Sequence, residues 1–145
     1  MSDQESNNFL SSGRILRIAS IGADGAPHIA PIWYVYENGK FYVQTGPRSR
    51  KTGNIRANST VAFSIDVGEK FYDLKAVVGK GTARILTDTK FNHEMGKKIL
   101  LKYLGDLNNP AATRKLRTRS HRNNSNHQNQ LGLLKKLLAL DCRGE

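Results

Sequence analysis

The stretch ILRIASIGADGAPHIAPIWYVYENGKFYVQT, residues 15–45, decides the fold because it holds three apolar, β-rich runs separated by two short turns. Asp24-Gly25 and Asn38-Gly39 are turn pairs, since glycine accepts the positive φ that a tight hairpin requires. The runs 15–22, 27–36 and 40–45 are therefore predicted to form a three-stranded antiparallel meander.

Two further runs after this stretch have strand patterns. Residues 60–67 alternate in polarity, and residues 74–86 form a longer apolar run that is interrupted by Gly79 and Gly81. Glycine inside a strand marks a bulge or a bend, so we expect this last strand to deform where a small barrel closes.

Two segments have helix patterns. Residues 49–58 begin with Ser49, a good N-cap, and residues 88–104 place apolar side chains at helical spacing between Asp88 and Gly105. Together with five strands, these helices predict a mainly β fold: a small antiparallel barrel with peripheral helices.

The composition changes after Pro110. Residues 111–130 are basic, rich in asparagine and almost free of aliphatic side chains, which predicts a disordered linker. Residues 131–145 are rich in leucine and are predicted to form a helical tail. The compact domain is thus expected to span residues 1–110.

The net charge of +11 over 145 residues raises the possibility of a nucleic-acid-binding protein. The charge is uneven: residues 1–110 hold 15 Lys and Arg against 10 Asp and Glu, whereas residues 111–145 hold 8 against 2. Because the folded part is only mildly basic, specific nucleic-acid recognition is not expected. The single cysteine, Cys142, the absence of a signal-like N-terminus and the absence of a long apolar run predict a cytoplasmic protein without a membrane span.

Several familiar motifs fail on one residue each. The stretch 46–52 resembles a phosphate-binding P-loop, but Arg50 stands where the second glycine is required. His93-Glu94 begins a zinc-protease pattern that Lys97 breaks, so no metal site is predicted. What remains is Ser49, Arg50 and Lys51 at a helix start, which suits one phosphate group, although a solvated basic turn is an equally good interpretation of the spacing alone.

The order of these pieces, GRILRIASIGADGAPHIAPIWYVYENGKFYVQTGPRSRKTGNIRANSTVAFSID at 13–66 followed by LKAVVGKGTARI at 74–85, resembles the pyridoxamine 5′-phosphate oxidase-like, FMN-binding split-barrel family. The resemblance implies an antiparallel, Greek-key-like split β-barrel with a flavin site. The strand along the flavin ring and ribityl chain is Ala30, Pro31, Ile32, Trp33 and Tyr34, and the strand end at the ribityl phosphate is Gln44 and Thr45. The helix start that holds the phosphate is Ser49, Arg50 and Lys51, with Asn54 as a supporting residue one turn later. A residue at or near Leu74 or Lys75 reaches the partner subunit's flavin.

The resemblance also implies a function: an FMN-dependent oxidoreductase, acting as a homodimer on a small molecule, with its cofactor at the subunit interface. Nothing after residue 105 resembles the C-terminal signature of the vitamin oxidase, so that activity is not implied, and no catalytic residue is identified. A deazaflavin-dependent reductase, whose longer anionic cofactor would also use Arg48, is the nearest alternative. A nucleic-acid-binding protein and a non-catalytic flavin or haem module are the others.

Overall fold

The computed structural model describes residues 2–111 and 136–143. Within these ranges it contains seven strands, three α-helices and a 3-10 turn, Phe71–Asp73. The strands are β1 Leu16–Ile21, β2 Pro27–Ile32, β3 Tyr34–Glu37, β4 Lys40–Thr45, β5 Thr60–Val67, β6 Lys75–Leu86 and β7 Lys136–Arg143. The helices are α1 Asp3–Ser12, α2 Arg50–Ala57 and α3 Thr89–Leu104.

All seven strands form one antiparallel sheet in the order β2-β1-β5-β6-β7-β4-β3. Its two edge strands, β2 and β3, are consecutive in the chain and are separated only by Trp33, so the sheet must curl to bring its edges together. The mainly β, barrel-like fold with outer helices is confirmed. The predicted three-stranded meander is wrong, because the run 27–36 breaks at Trp33: β2 pairs only with β1, and β3 pairs with β4.

The main core lies inside the curled sheet. Phe41 packs its ring against the rings of Tyr34 and Phe63, with centroids 5.4 and 5.0 Å away. Aliphatic side chains of the inward faces complete this core: Leu16, Ile18, Val43, Val61, Ile65 and Leu140. A second cluster lies where Tyr42 and Ala139 meet the α3 residues Met95 and Ile99. The sheet around β4 and β7 is therefore covered on both sides.

Both predicted helices are present with their predicted caps. The side chain of Ser49 accepts the Thr52 amide at the start of α2, and the side chain of Asp88 accepts the Phe91 amide at the start of α3. Helix α1 was not predicted from the sequence. It begins with a reciprocal cap between Ser2 and Glu5, and its last turn packs against the main core.

The expected bulge at Gly79 is wrong. Strands β5 and β6 pair in one unbroken register from Thr60 opposite Thr82 to Val67 opposite Lys75. Gly79 instead makes room for an aromatic ring, because a Cβ at this position would lie 2.7 Å from two carbon atoms of the Phe63 ring. A side chain is absent here for packing.

The predicted helical tail is also wrong for residues 136–143, which form β7 in the middle of the sheet between β6 and β4. The neighbours Ala139 and Leu140 are both buried, one against α3 and the other in the main core. A strand covered on both faces is apolar without alternation, and such a run cannot be distinguished from a buried helix by its periodicity. The compact sheet thus extends beyond residue 110, whereas the predicted linker, residues 111–130, lies outside the described residues except for Ala111.

Candidate functional site

The start of α2 is fixed by three hydroxyl groups that bond to one another. The Oγ of Ser49 lies 2.8 Å from Thr45 Oγ1 and 2.8 Å from Thr52 Oγ1. The Thr52 hydroxyl also donates to the backbone oxygen of Gly46 over 2.9 Å, and this side chain is fully buried. The end of β4, the turn after it and the first turn of α2 are therefore held as one unit.

Helix α2 is attached to the sheet on its other side as well. Asn54 donates its Nδ2 hydrogen to Ser20 Oγ on β1 over 3.1 Å, and Ile55 is buried in the main core. The supporting role that the resemblance implies for Asn54 thus has a matching contact. A rigid first turn keeps its unpaired N–H groups and positive dipole end pointing in one direction, which is the requirement for anion binding.

Three cations surround this helix start. Arg48 and Arg50 are exposed, and Lys51 is half-buried. Burial lowers the pKa of Lys51 below its ordinary value. Within residues 2–111 and 136–143, none of the three forms an ion pair with a carboxylate. These charges are therefore available to an external anion.

A pocket of about 420 Å³ lies beside the hydroxyl cluster. The sequence predicted five of its lining residues: Pro31, Ile32, Trp33, Gln44 and Thr45. Its other lining residues are Ile15, Gly46, Ile99 and Leu100. The volume is within the range of small-molecule sites, and a mostly apolar wall with a few polar groups is their usual composition. The pocket and the cationic helix start meet at Thr45 and Gly46.

Helix α3 provides a wall of the pocket that sequence reasoning missed. Ile99 and Leu100 line it directly, and the ring of Tyr103 stacks on Trp33 with centroids 4.7 Å apart and planes 3° from parallel. Nothing local in the helix pattern indicated this role, because apolar positions of α3 had an adequate explanation in core packing. The only unusual signal was Gly96, a glycine inside a helix.

The other predicted site residues lie elsewhere. The side chain of Tyr34 points into the main core, where its hydroxyl donates to the Leu10 carbonyl over 2.6 Å, so it does not line the pocket. Ala30 is half-buried and packs against the same core. Lys75 is exposed at the beginning of β6 and is not a pocket residue of its own subunit.

The amine of Lys102 is buried next to Tyr34 and Tyr103. The Nζ of Lys102 is 3.7 Å from the centroid of the Tyr34 ring and has no hydrogen-bond partner, and burial lowers its pKa to about 8. Burial also raises the pKa of the Tyr34 and Tyr103 hydroxyls. All three groups thus lie in a poorly hydrated region between α1, β3 and α3.

The described part of the chain contains no group of three His, Cys, Asp or Glu side chains that could hold a metal ion. None of its helices has the length and apolar character needed to cross a membrane. The donor set at the α2 start, with hydroxyls, backbone N–H groups and unpaired cations, instead fits a phosphate. The adjacent pocket, with an apolar wall and an aromatic side chain, fits a planar ring, so the residues present are compatible with a flavin nucleotide.

Four solved structures share this split-barrel fold, and three of them have a ligand in their names. A conserved hypothetical protein of Mycobacterium tuberculosis has 25% identity and a TM-score of 0.74, covering 97% of this chain and 79% of that one. An FAD-binding protein of Mesorhizobium loti has 20% identity and a TM-score of 0.66, covering 99% and 91%. A protein solved as F420 reductase has 16% identity and a TM-score of 0.67, covering 95% and 93%. The heme storage protein HutZ of Vibrio cholerae has 13% identity and a TM-score of 0.70, covering 99% and 91%.

Sequence comparison gives the family. A search of curated proteins finds no match. The sequence profile described as pyridoxamine 5′-phosphate oxidase, in contrast, matches residues 2–122, which is most of the chain. The resemblance inferred from the order of the motifs is confirmed, and the chain belongs to the pyridoxamine 5′-phosphate oxidase family.

Proposed function

We propose that this protein is an FMN-dependent oxidoreductase that acts on a small molecule. The observation that carries the proposal is that two features meet at Thr45. One is a helix start whose cations form no ion pair, and the other is a mostly apolar pocket that also contains the amide of Gln44 and the ring of Trp33. The phosphate of FMN would be held at Ser49, Arg50 and Lys51, and its ring would lie along the strand Ala30–Trp33. When bound, the flavin accepts and returns a hydride.

The chain's own residues would bind the phosphate, orient the ring and exclude water from it. Because the Thr52 hydroxyl donates to the Gly46 carbonyl, the Ser49 hydroxyl donates to Thr52 and the Thr45 hydroxyl to Ser49. A phosphate oxygen beside Ser49 could accept the Ser49 hydrogen in place of Thr52, while Thr45 continues to donate to Ser49. An anion beside Lys51 would stabilise its charged form and so reverse the pKa decrease that burial causes. Ile99 and Leu100 would keep water from one side of the ring.

A homodimer is part of the proposal. The outer face of β2-β1-β5-β6 exposes apolar side chains, with Val78 75% and Ile29 64% exposed. The register aligns Pro31, Arg17, Ser64 and Val78 in one row across the four strands. Because Pro31 belongs both to this row and to the pocket lining, a second copy on this face would close the pocket and bring its own Leu74 or Lys75 near the ring. In sedimentation experiments, Val78→Glu should shift the protein from dimer to monomer. Lys90→Glu, at an exposed position on α3, is the control and should leave the dimer intact.

The phosphate assignment is tested by titrating FMN into the protein and into the Arg50→Ala, Lys51→Ala double variant. Each charge-assisted contact contributes roughly 1.5 to 3 kcal/mol, so the double variant should bind at least about a hundredfold more weakly. The control is the Arg84→Ala, Lys90→Ala double variant, which loses the same charge at exposed positions outside the pocket. Equal affinity of the site variant and the parent would show that the phosphate is held elsewhere.

A deazaflavin-dependent reductase is the second candidate. Exposed Arg48 extends the cationic surface beyond the helix start, where a longer anionic chain would need it. One of the similar structures is an F420 reductase. Competition between FMN and the deazaflavin coenzyme decides between them, and Arg48→Ala should weaken only the longer cofactor. A haem absorption band after haem addition, with no response to either flavin, would favour the non-catalytic alternative.

The cytoplasmic location expected from the sequence is part of the proposal.

A further inference from the structure

One face of α3 fixes the positions of two pocket side chains, Gln44 and Trp33. Gly96, Ile99, Leu100 and Tyr103 recur at intervals of three and four residues, so they lie on one side of the helix. Ile99 and Leu100 contact the pocket themselves, whereas Gly96 and Tyr103 do not line it. These two act through neighbours that do.

Gly96 determines where the Gln44 amide can lie. A Cβ at position 96 would be 2.2 Å from Gln44 Nε2 and 3.2 Å from its Cδ, so the amide rests directly on the glycine. Among the pocket residues that the structure describes, Gln44, Thr45 and the indole N–H of Trp33 are the side-chain hydrogen-bonding groups. Any side chain at position 96 would displace the Gln44 amide, one of these groups.

Tyr103 determines how Trp33 is held. Its ring stacks in parallel on Trp33, and its hydroxyl oxygen accepts the Tyr34 backbone N–H over 3.2 Å. This hydrogen bond lies where the chain passes from β2 to β3, so it fixes the backbone at the strand break. The same residue thus orients both the ring and the main chain of the aromatic wall.

We propose that Gly96 and Tyr103 are positioning residues that make the pocket selective for a planar ring system with a hydrogen-bonding edge. Trp33 presents a fixed aromatic surface, and Gln44 presents both an amide donor and an acceptor. The inference rests on the proposed function for the identity of the ligand. The placement of the two side chains is a property of the protein alone, so it can be tested without a ligand.

The Tyr103 half is tested on the ligand-free protein. Trp33 is the only tryptophan of the chain, so intrinsic tryptophan emission and its quenching by acrylamide report on this ring alone. Tyr103→Leu should increase the quenching constant and shift the emission, whereas Tyr103→Phe, which keeps the stacked ring, should do neither. Leu101→Ala, at a 46% exposed position of the same helix, is the control. Unchanged quenching in Tyr103→Leu would overturn this half.

The Gly96 half is tested by a double-mutant cycle with Gln44. Gly96→Ala should weaken FMN binding by about tenfold or more, because the Gln44 amide must move, and it should raise the melting temperature less than the same substitution does without that amide. In a Gln44→Ala background the same substitution should leave the remaining FMN affinity nearly unchanged and should raise the melting temperature, because the clashing amide is gone and alanine is the better helix former. Full, additive effects in both backgrounds would show that Gly96 does not act through Gln44. If the wild type fails to bind FMN, the proposed function fails, and the melting temperatures still decide the positioning.

Discussion

Replacing Lys102 by methionine should stabilise the protein. The Nζ of this lysine is buried without a hydrogen-bond partner, and burial lowers its pKa from the ordinary 10.5 to about 8. Because the folded state holds the proton less tightly than the unfolded chain, the charged amine destabilises the fold at neutral pH. Methionine keeps an unbranched apolar stem, in a side chain one atom shorter than that of lysine, and removes the charge.

The magnitude follows from the two pKa values. The difference between 10.5 and about 8 corresponds to at most about 3.4 kcal/mol. The side chain is only half-buried, so solvent screening reduces this cost to roughly 1 to 2 kcal/mol. The Tyr34 ring 3.7 Å from Nζ offers a cation–π attraction of about 0.5 to 2 kcal/mol, which opposes the gain. The two ranges overlap, and the hydrogen bonds that the buried Nζ loses on folding are not replaced, so we expect the net effect of the charge to be destabilising.

The pH dependence gives the sharper test. For a lysine whose pKa is lowered in the folded state, the cost is fully present below about pH 8 and disappears as the pH rises toward 10.5. The free energy of unfolding of the wild type should therefore rise across this interval relative to Lys102→Met. Urea unfolding at several pH values measures it, with Lys90→Met, an exposed lysine of the same helix, as the control for net charge. A less stable Lys102→Met with an unchanged pH profile would refute the reasoning.

Three further predictions concern the fold. In thermal melts, Gly79→Ala should lower the free energy of unfolding by about 1 to 3 kcal/mol, because the new Cβ would overlap the Phe63 ring. Gly53→Ala is the control in α2: its Cβ faces open space, so it should raise the free energy of unfolding by up to about 1 kcal/mol. Tyr34→Phe should cost about 1 kcal/mol through loss of its hydrogen bond to a backbone carbonyl. A chain ending at Pro110 should show no cooperative unfolding transition by circular dichroism, because it lacks the strand that joins β6 to β4; a sharp transition would restore the domain boundary predicted from the sequence.

Local signals were sufficient for the elements that carry their own caps and turns. Ser49 and Asp88 marked the starts of α2 and α3, and glycine pairs marked both hairpins. Strand β7 could not be predicted, because a strand buried on both faces has the same continuous apolar pattern as a buried helix. The break at Trp33 was also invisible, since the change of pairing partner there depends on how the whole sheet curls.

The same distinction holds for the site. The half that is proposed to bind phosphate is contiguous, from Thr45 to Asn54, so the sequence presented it as one motif. The pocket half is assembled from β2, β4 and α3, which are far apart in the chain. Tyr34 was included because its backbone matches the family's flavin strand, but adjacent side chains of a strand point to opposite faces, and the side chain of Tyr34 lies in the core.

The most direct test of the account compares the affinities of FMN and riboflavin for the wild-type protein, measured by quenching of Trp33 emission. The two ligands share the ring and the ribityl chain and differ only in the phosphate that the α2 start is proposed to hold. At least two charge-assisted contacts should make FMN bind about a hundredfold or more tightly than riboflavin. Equal affinities for the two ligands, or binding of neither, would contradict the central claim.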